Sequence, residues 1–428
     1  MPRKMKESGV EWLGQIPEGW EIKRFKYVAK SLRKGNGITK DEVFENGDLP
    51  CVRYGEIYSK YKFAIERCVS KTKKDVVTDP VLVSAGDILF ACTGELVEEI
   101  GKNILYKGKE TCVAGGDIMV ASHDQNPAFL NYYLNCHSSQ FQKSRNKTKL
   151  KVVHAKTSDI ENLLVQIPTL PEQEQIAAFL DERCVKIDGM IAEVKASIED
   201  YKKWKQAIVF EAVTGKLEKN LRPSGIEWMG DVPCDWGVER LQWHLEEVVE
   251  KNDPIRTTNI LSLTNDRGVI PYEEKGDIGN KAKENFAEYK LAFKDTIVAN
   301  SMNILIGSVG LSKYEGCVSP VYYVFKNRPN SSIRFFSYVF QMPAFQRELR
   351  RYANGILEIR LRVSASDILR RQVAIPTLSE QERIATFLDE KCAAIDKLVG
   401  EKEALIADLE AYKKSLIFET VTGKREVA

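Results

Sequence analysis

The sequence predicts an α+β protein, with two similar globules joined by two long antiparallel coiled-coil helices in a pseudo-twofold arrangement with cyclic repeat order. Three observations carry this prediction. The stretch Ile167–Lys216 returns as Ile375–Lys424 at a constant offset of 208, with 27 identities in 50 residues and no gap. A period that long means duplication of a whole module rather than a solenoid. A shorter stretch, Ser8–Trp20, returns as Ser224–Trp236 at an offset of 216. Between the copies lie short β-rich runs bounded by Gly, Asp, Asn and Pro.

Taken in order, residues 1–165 read as an N-terminal segment and a first globule, and 166–216 as a first helix. Residues 217–373 read as a linker and a second globule, and 374–428 as a second helix. The middle copy of the Trp-containing segment directly follows the first helix, whereas the N-terminal copy has its equivalent helix at the far end of the chain. Joining Ala428 to Met1 would give two equal units in a ring, so the chain ends are expected to lie close together.

In the first globule Leu49–Tyr54, Asp87–Ala91, Lys102–Tyr106 and Asp117–Ala121 read as strands, and Pro127–Phe141 as a helix. In the second, Val298–Met302, Ile304–Gly307 and Tyr322–Lys326 read as strands and Ile333–Gln341 as the helix. Residues 141–143 (Phe-Gln-Lys) align with 345–347 (Phe-Gln-Arg). The globules have diverged, while the helices joining them have not.

Each long helix opens with acids at the positive end of its dipole and stops at a glycine, Gly215 or Gly423, suited to a left-handed cap. Apolar positions recur at three and four: Ile176, Leu180, Ile187, Met190, Val194, Tyr201, Trp204 and Ile208, then Ile384, Leu388, Ile395, Leu398, Leu405, Leu409, Tyr412 and Leu416. That is a heptad seam. Phe179, Phe210, Phe387 and Phe418 lie off the seam, available either for docking a partner or for packing on the globules.

Composition excludes several classes. Net charge is +2, so any nucleic-acid surface must be local. Nine cysteines without a C-x-x-C pair read as reduced thiols of a cytoplasmic protein, and four histidines show no metal spacing. No apolar run is long enough for a bilayer. There is no phosphate loop and no dinucleotide fingerprint. Glu193-Val194-Lys195 sits mid-helix, where a nuclease E-x-K would need a strand, so no catalytic residue and no bound metal is assigned.

The basic residues are more informative. Residues 141–156 carry Lys143, Arg145, Lys147, Lys149, Lys151 and Lys156 with no acid. At the matching place, residues 347–371 carry Arg347, Arg350, Arg351, Arg360, Arg362, Arg370 and Arg371 against three acids. One such run is ordinarily a solvated face, but two at equivalent positions in diverged domains point to phosphate contact. Loops such as Arg53-Tyr54-Gly55-Glu56 and Asn300–Asn303 are candidates for reading base edges.

Ile-Pro-x-Leu-x-Glu-Gln-Glu-x-Ile-Ala opening each long helix, with Gly-x-Glu-Trp-(Leu/Met)-Gly-x-(Ile/Val)-Pro-x-x-Trp at 9–20 and 225–236, resembles the specificity subunit of type I restriction-modification systems. The resemblance spans nearly the whole chain. It implies two target-recognition domains, each reading one half of an asymmetric bipartite site on double-stranded DNA, and conserved helices that set the spacer. It further implies docking of two modification (methyltransferase) subunits and of restriction (translocase-endonuclease) subunits. On that reading the chain binds no cofactor, and S-adenosylmethionine, ATP and Mg belong to the partners. The competing readings are the specificity subunit of a fused nuclease–methyltransferase system and a coiled-coil scaffold that binds no DNA.

Overall fold

The computed structural model describes residues 3–145, 147–148, 152–264, 267–276, 285–354 and 361–427. They form two compact units, one of residues 1–194 with 404–428 and the other of residues 195–403. Two 44-residue helices, Leu170–Val213 and Leu378–Val421, each contribute one half to each unit.

The first unit is built on a five-stranded sheet ordered 29–34, 118–123, 88–91, 103–106, 64–65. A second sheet is ordered 70–72, 49–52, 112–114, 82–83. The sheet of the second unit runs 245–247, 322–327, 297–300, 309–311, the same order and antiparallel pairing as the first four strands of the five-stranded sheet. Two sequences with little identity therefore build one sheet plan.

The helix read over Pro127–Phe141 is two helices, Pro127–Asn135 and His137–Ser144, parted at Cys136 by an extended ψ of 161°. Their counterparts are Ile333–Gln341 and Pro343–Arg350, at an offset of 206 (127 to 333, 137 to 343). The expected strand Ile304–Gly307 is instead a 3-10 turn, Ile304–Ile306, closed by Gly307 at φ +93°.

The repeated motifs explain one another. Gly215 and Gly423 have φ of +69° and +72°, ending each helix in the left-handed region. A Cβ on Gly215 would sit 2.3 Å from Pro233 Cδ, and one on Gly423 2.4 Å from Pro17 Cγ. Each Val-Thr-Gly-Lys end thus seats on the Ile/Val-Pro-x-x-Trp segment of its own unit, which requires glycine. In the first unit the Arg3 guanidinium lies 5.0 Å from the Trp20 ring, and a Cβ on Gly423 would lie 3.1 Å from the same ring. The two ends of the chain meet on one tryptophan, as the cyclic repeat order predicts.

Within each unit the helix halves run antiparallel. In the first, Glu172 accepts from Trp20 Nε1 at 2.9 Å, beside the Gly423 end, while Lys413 pairs with Asp188 at 2.7 Å. In the second, Arg383 pairs with Glu218 at 3.7 Å and Lys205 with Asp396 at 2.6 Å. These side chains are partly exposed, so each pair contributes at most about 1 kcal/mol and serves mainly to fix register.

The buried seam shares Leu180, Ile187, Leu388 and Ile395 with the one read in sequence and departs from it elsewhere. It follows Ala177, Leu180, Cys184, Ile187, Ile191, the half-buried Val194 and Ile198, alternating three and four, and Ala385, Leu388, Cys392 and Ile395 at the equivalent places. Met190, Trp204, Leu398, Leu405 and Tyr412 are exposed. Ile176, Ile384 and Leu416 of the seam read in sequence are buried as well, so that reading holds near the helix starts and at Leu416 and fails at these five exposed positions.

The glutamine of the Glu-Gln-Glu motif is the clamp between long helix and globule. Gln173, fully buried, accepts from Asn126 N at 2.9 Å and donates to Pro168 O at 3.0 Å and Gln125 Oε1 at 2.8 Å. Gln381 repeats this with Ser332 N at 2.9 Å and Pro376 O at 2.9 Å. Gln173→Ala leaves a buried amide and carbonyl unpaired, and urea unfolding is expected to show a loss of about 2–4 kcal/mol. A loss under 0.5 kcal/mol would contradict the clamp.

Candidate nucleic-acid interface

The short helices after each central sheet carry the basic runs. In the first unit Asn126 Oδ1 caps Pro127–Asn135 through Phe129 N at 3.0 Å, and in the second Ser332 Oγ caps Ile333–Gln341. Because the following helices also keep the 206 offset, Lys143 corresponds to Leu349, not to Arg347, and both Lys143 and Leu349 are fully buried. Lys143 Nζ donates to Gly101 O at 2.8 Å and Asn103 Oδ1 at 3.0 Å, and lies 5.8 Å from the Phe90 ring centroid. Gly101, at φ +70°, makes the room: a Cβ there would sit 2.8 Å from Lys143 Cδ. Burial without a carboxylate partner pushes the ammonium down from 10.5 to about 7. Lys143 is therefore a core residue and not a phosphate contact.

Its neighbours divide. Arg145 is exposed at the helix end, and Lys156 is exposed too. Lys147 is largely buried in an ion pair with Asp159. Lys149, Lys151 and Arg360 lie outside the described residues. Arg53 and Tyr54 do not form a loop. Tyr54–Ser59 is a short helix, and Arg53 donates to Glu56 Oε1 at 2.9 and 3.0 Å. Ser70 also donates to that buried carboxylate, at 2.6 Å, so the Arg53 charge is neutralised locally while Tyr54 stays partly exposed.

In the second unit the cations are better presented. Arg347, Arg350, Arg362 and Arg370 are exposed. Arg351 bridges Glu227 at 2.7 Å and Glu348 at 3.2 Å. The Arg371 guanidinium lies 3.3 Å from the Tyr352 ring centroid, held by donation to Asp367 O at 2.8 Å. Together with Arg240, Arg351, Arg370 and Arg371 line a concavity of about 370 Å³ beside Trp228. Arg240 was not legible in sequence, since it arrives through the pairing of Gly237–Arg240 with Gln372–Ile375. Among the described residues no group of three metal-ligating side chains occurs, and no helix is long and apolar enough to cross a membrane.

Phe179, Phe210, Phe387 and Phe418 are half-buried and pack against the core of their own units. A cation covers each ring: Arg183, Lys216, Lys391 and Lys424 respectively, at 4.8 to 5.8 Å. The exposed apolar groups of the helices are instead Met190 and Tyr412 in the first unit and Leu398 and Trp204 in the second, at equivalent positions. Met190 and Tyr412 line a groove of about 610 Å³ with Ile187 and Leu416.

The model of the type I restriction modification DNA specificity domain matches residues 17–211 and 242–406. The chain belongs to this family. Among curated relatives it is similar to the putative type I restriction enzyme MjaX specificity subunit of Methanocaldococcus jannaschii, 26% identical over 430 residues, covering 97% of this chain and 96% of the relative. In fold it is similar to a chain solved in work on complex assembly and conformational transition of the type I R-M system, with a TM-score of 0.71 at 15% identity, covering 95% of this chain and 98% of the other. It is also similar to the HsdS subunit from Thermoanaerobacter tengcongensis, with a TM-score of 0.53 at 16% identity, covering 96% and 98%. The chain is a type I restriction-modification specificity subunit, and the doubled sheet plan agrees with two specificity domains in one chain.

Proposed function

We propose that each unit reads one half of an asymmetric bipartite site on double-stranded DNA, and that the paired helices act as a coiled-coil spacer fixing the gap between the half-sites. Two copies of a modification subunit dock on the groove at Met190/Tyr412 and on the equivalent exposed positions Leu398/Trp204. Adenine methylation from S-adenosylmethionine belongs to those subunits, and ATP- and Mg-dependent translocation and cleavage belong to restriction subunits. The working compartment is the cytoplasm. The observation that supports this reading best is the contrast between one sheet plan carrying two unrelated surfaces and helices that keep 27 of 50 residues. Different half-sites demand different surfaces, whereas identical partners demand identical ones.

Phosphate contacts position the protein, and their loss is independent of sequence. Reversing the exposed Arg347 and Arg370 (R347E/R370E) is expected to weaken binding similarly on every duplex. The slope of log K against log salt should fall by about two. A scaffold that binds no DNA would show no binding in either form.

A further inference from the structure

The hairpin between strands 297–300 and 309–311 holds an isoleucine out into solvent. Ile304 is buried and Leu305 packs on the core, but Ile306 is 68% exposed. The loop is held rigidly: Ile306 N and Ser308 N both donate to Asn303 O, at 3.0 and 3.1 Å, and Met302 N donates to Asn300 Oδ1 at 3.1 Å. Gly307, in the left-handed region, turns the chain back against Gln346 on the helix Pro343–Arg350. Arg350 follows Gln346 by one helical turn, and Arg362 Nη2 contacts Met302 Sδ at 3.5 Å. An apolar tip therefore stands on a pre-formed loop, with exposed arginines on the elements that adjoin it.

We propose that Ile306 contacts the 5-methyl group of a thymine in the major groove, within the half-site taken by residues 195–403. This rests on the DNA-reading function proposed above and names the kind of base involved. In the major groove only thymine offers a methyl, and the exposed arginines of this unit suit the phosphates that border a groove. An apolar protein pocket closing on the loop would instead have to desolvate Arg362, which is exposed beside Met302. The equivalent hairpin of the first unit differs in chemistry: Glu95, Glu98 and Glu99 are exposed around Leu96. One loop position is thus equipped for different bases in the two units.

The test uses the full chain and the duplex it selects from a random pool, with each thymine replaced in turn by 2′-deoxyuridine, which lacks the methyl. Wild type is expected to bind one substituted duplex about fourfold more weakly, the effect of one buried methyl. I306A should bind thymine and deoxyuridine forms equally, I306V should keep part of the discrimination, and melting of both variants should match wild type. Indifference of wild type to every deoxyuridine overturns the proposal, as does an equal loss by I306A on both duplexes, which would indicate a wedge between bases. If wild type selects no sequence at all, the DNA-reading function itself fails; selection without methyl discrimination overturns only the role of Ile306.

Discussion

Lys143→Glu is expected to unfold the first unit at neutral pH. It replaces a fully buried ammonium that donates to Gly101 O and Asn103 Oδ1 with a buried carboxylate facing two acceptors. An uncompensated buried charge costs about 3–5 kcal/mol, a large share of a domain's stability. Lys143→Met, close to the leucine that the second unit places there, separates charge from packing. The folded site holds the Lys143 pKa at about 7 against 10.5 for an ordinary lysine, because burial penalises the charge. Between these values the unfolded chain binds the proton and the folded chain does not, so stability rises with pH across this window. Wild type should therefore gain on Lys143→Met from pH 7 to pH 9.5, by at most about 1.4 kcal/mol per unit, and lose that gain as pH falls through 7. Urea unfolding at four pH values reads this directly, and a difference flat with pH contradicts the buried-amine account. DNA affinity and its salt slope should not change in Lys143→Met, since the group meets no solvent.

The fold is legible in the sequence where local chemistry decides structure. The long helices begin and end where proline, acids and glycine said they would, and the cyclic order of the Trp-containing segments emerges as Gly423 and Arg3 on Trp20. The fold is not legible where a distant residue decides. Lys143 sits in a run without acids, which reads as a solvated face, yet Gly101, 42 residues away, opens a space that takes it. Met190 and Trp204 read as seam because they are as apolar as Ile191 and Ile198 and only the packing partner separates them, whereas Ile176, Leu180 and Ile187 are buried as read. Arg240 joined the arginine cluster through strand register, which composition does not encode. Ile304–Gly307 has the β-branched content of a strand, but Ile306 is directed outward by the left-handed glycine after it.

The largest functional effect is expected from lengthening the helices. Both pass from one unit to the other at 194/195 and 403/404. Seven residues inserted at each place preserve the three–four alternation of the seam and add about 10 Å. That corresponds to about three base pairs of DNA. The decisive measurement maps methylated adenines across a genome carrying the modification subunits, with the natural chain and with the lengthened one. The account predicts one asymmetric bipartite motif for the natural chain, and the same two half-sites with a wider gap, by up to about three base pairs, for the variant. An unchanged gap, altered half-sites or a motif without a gap would contradict it.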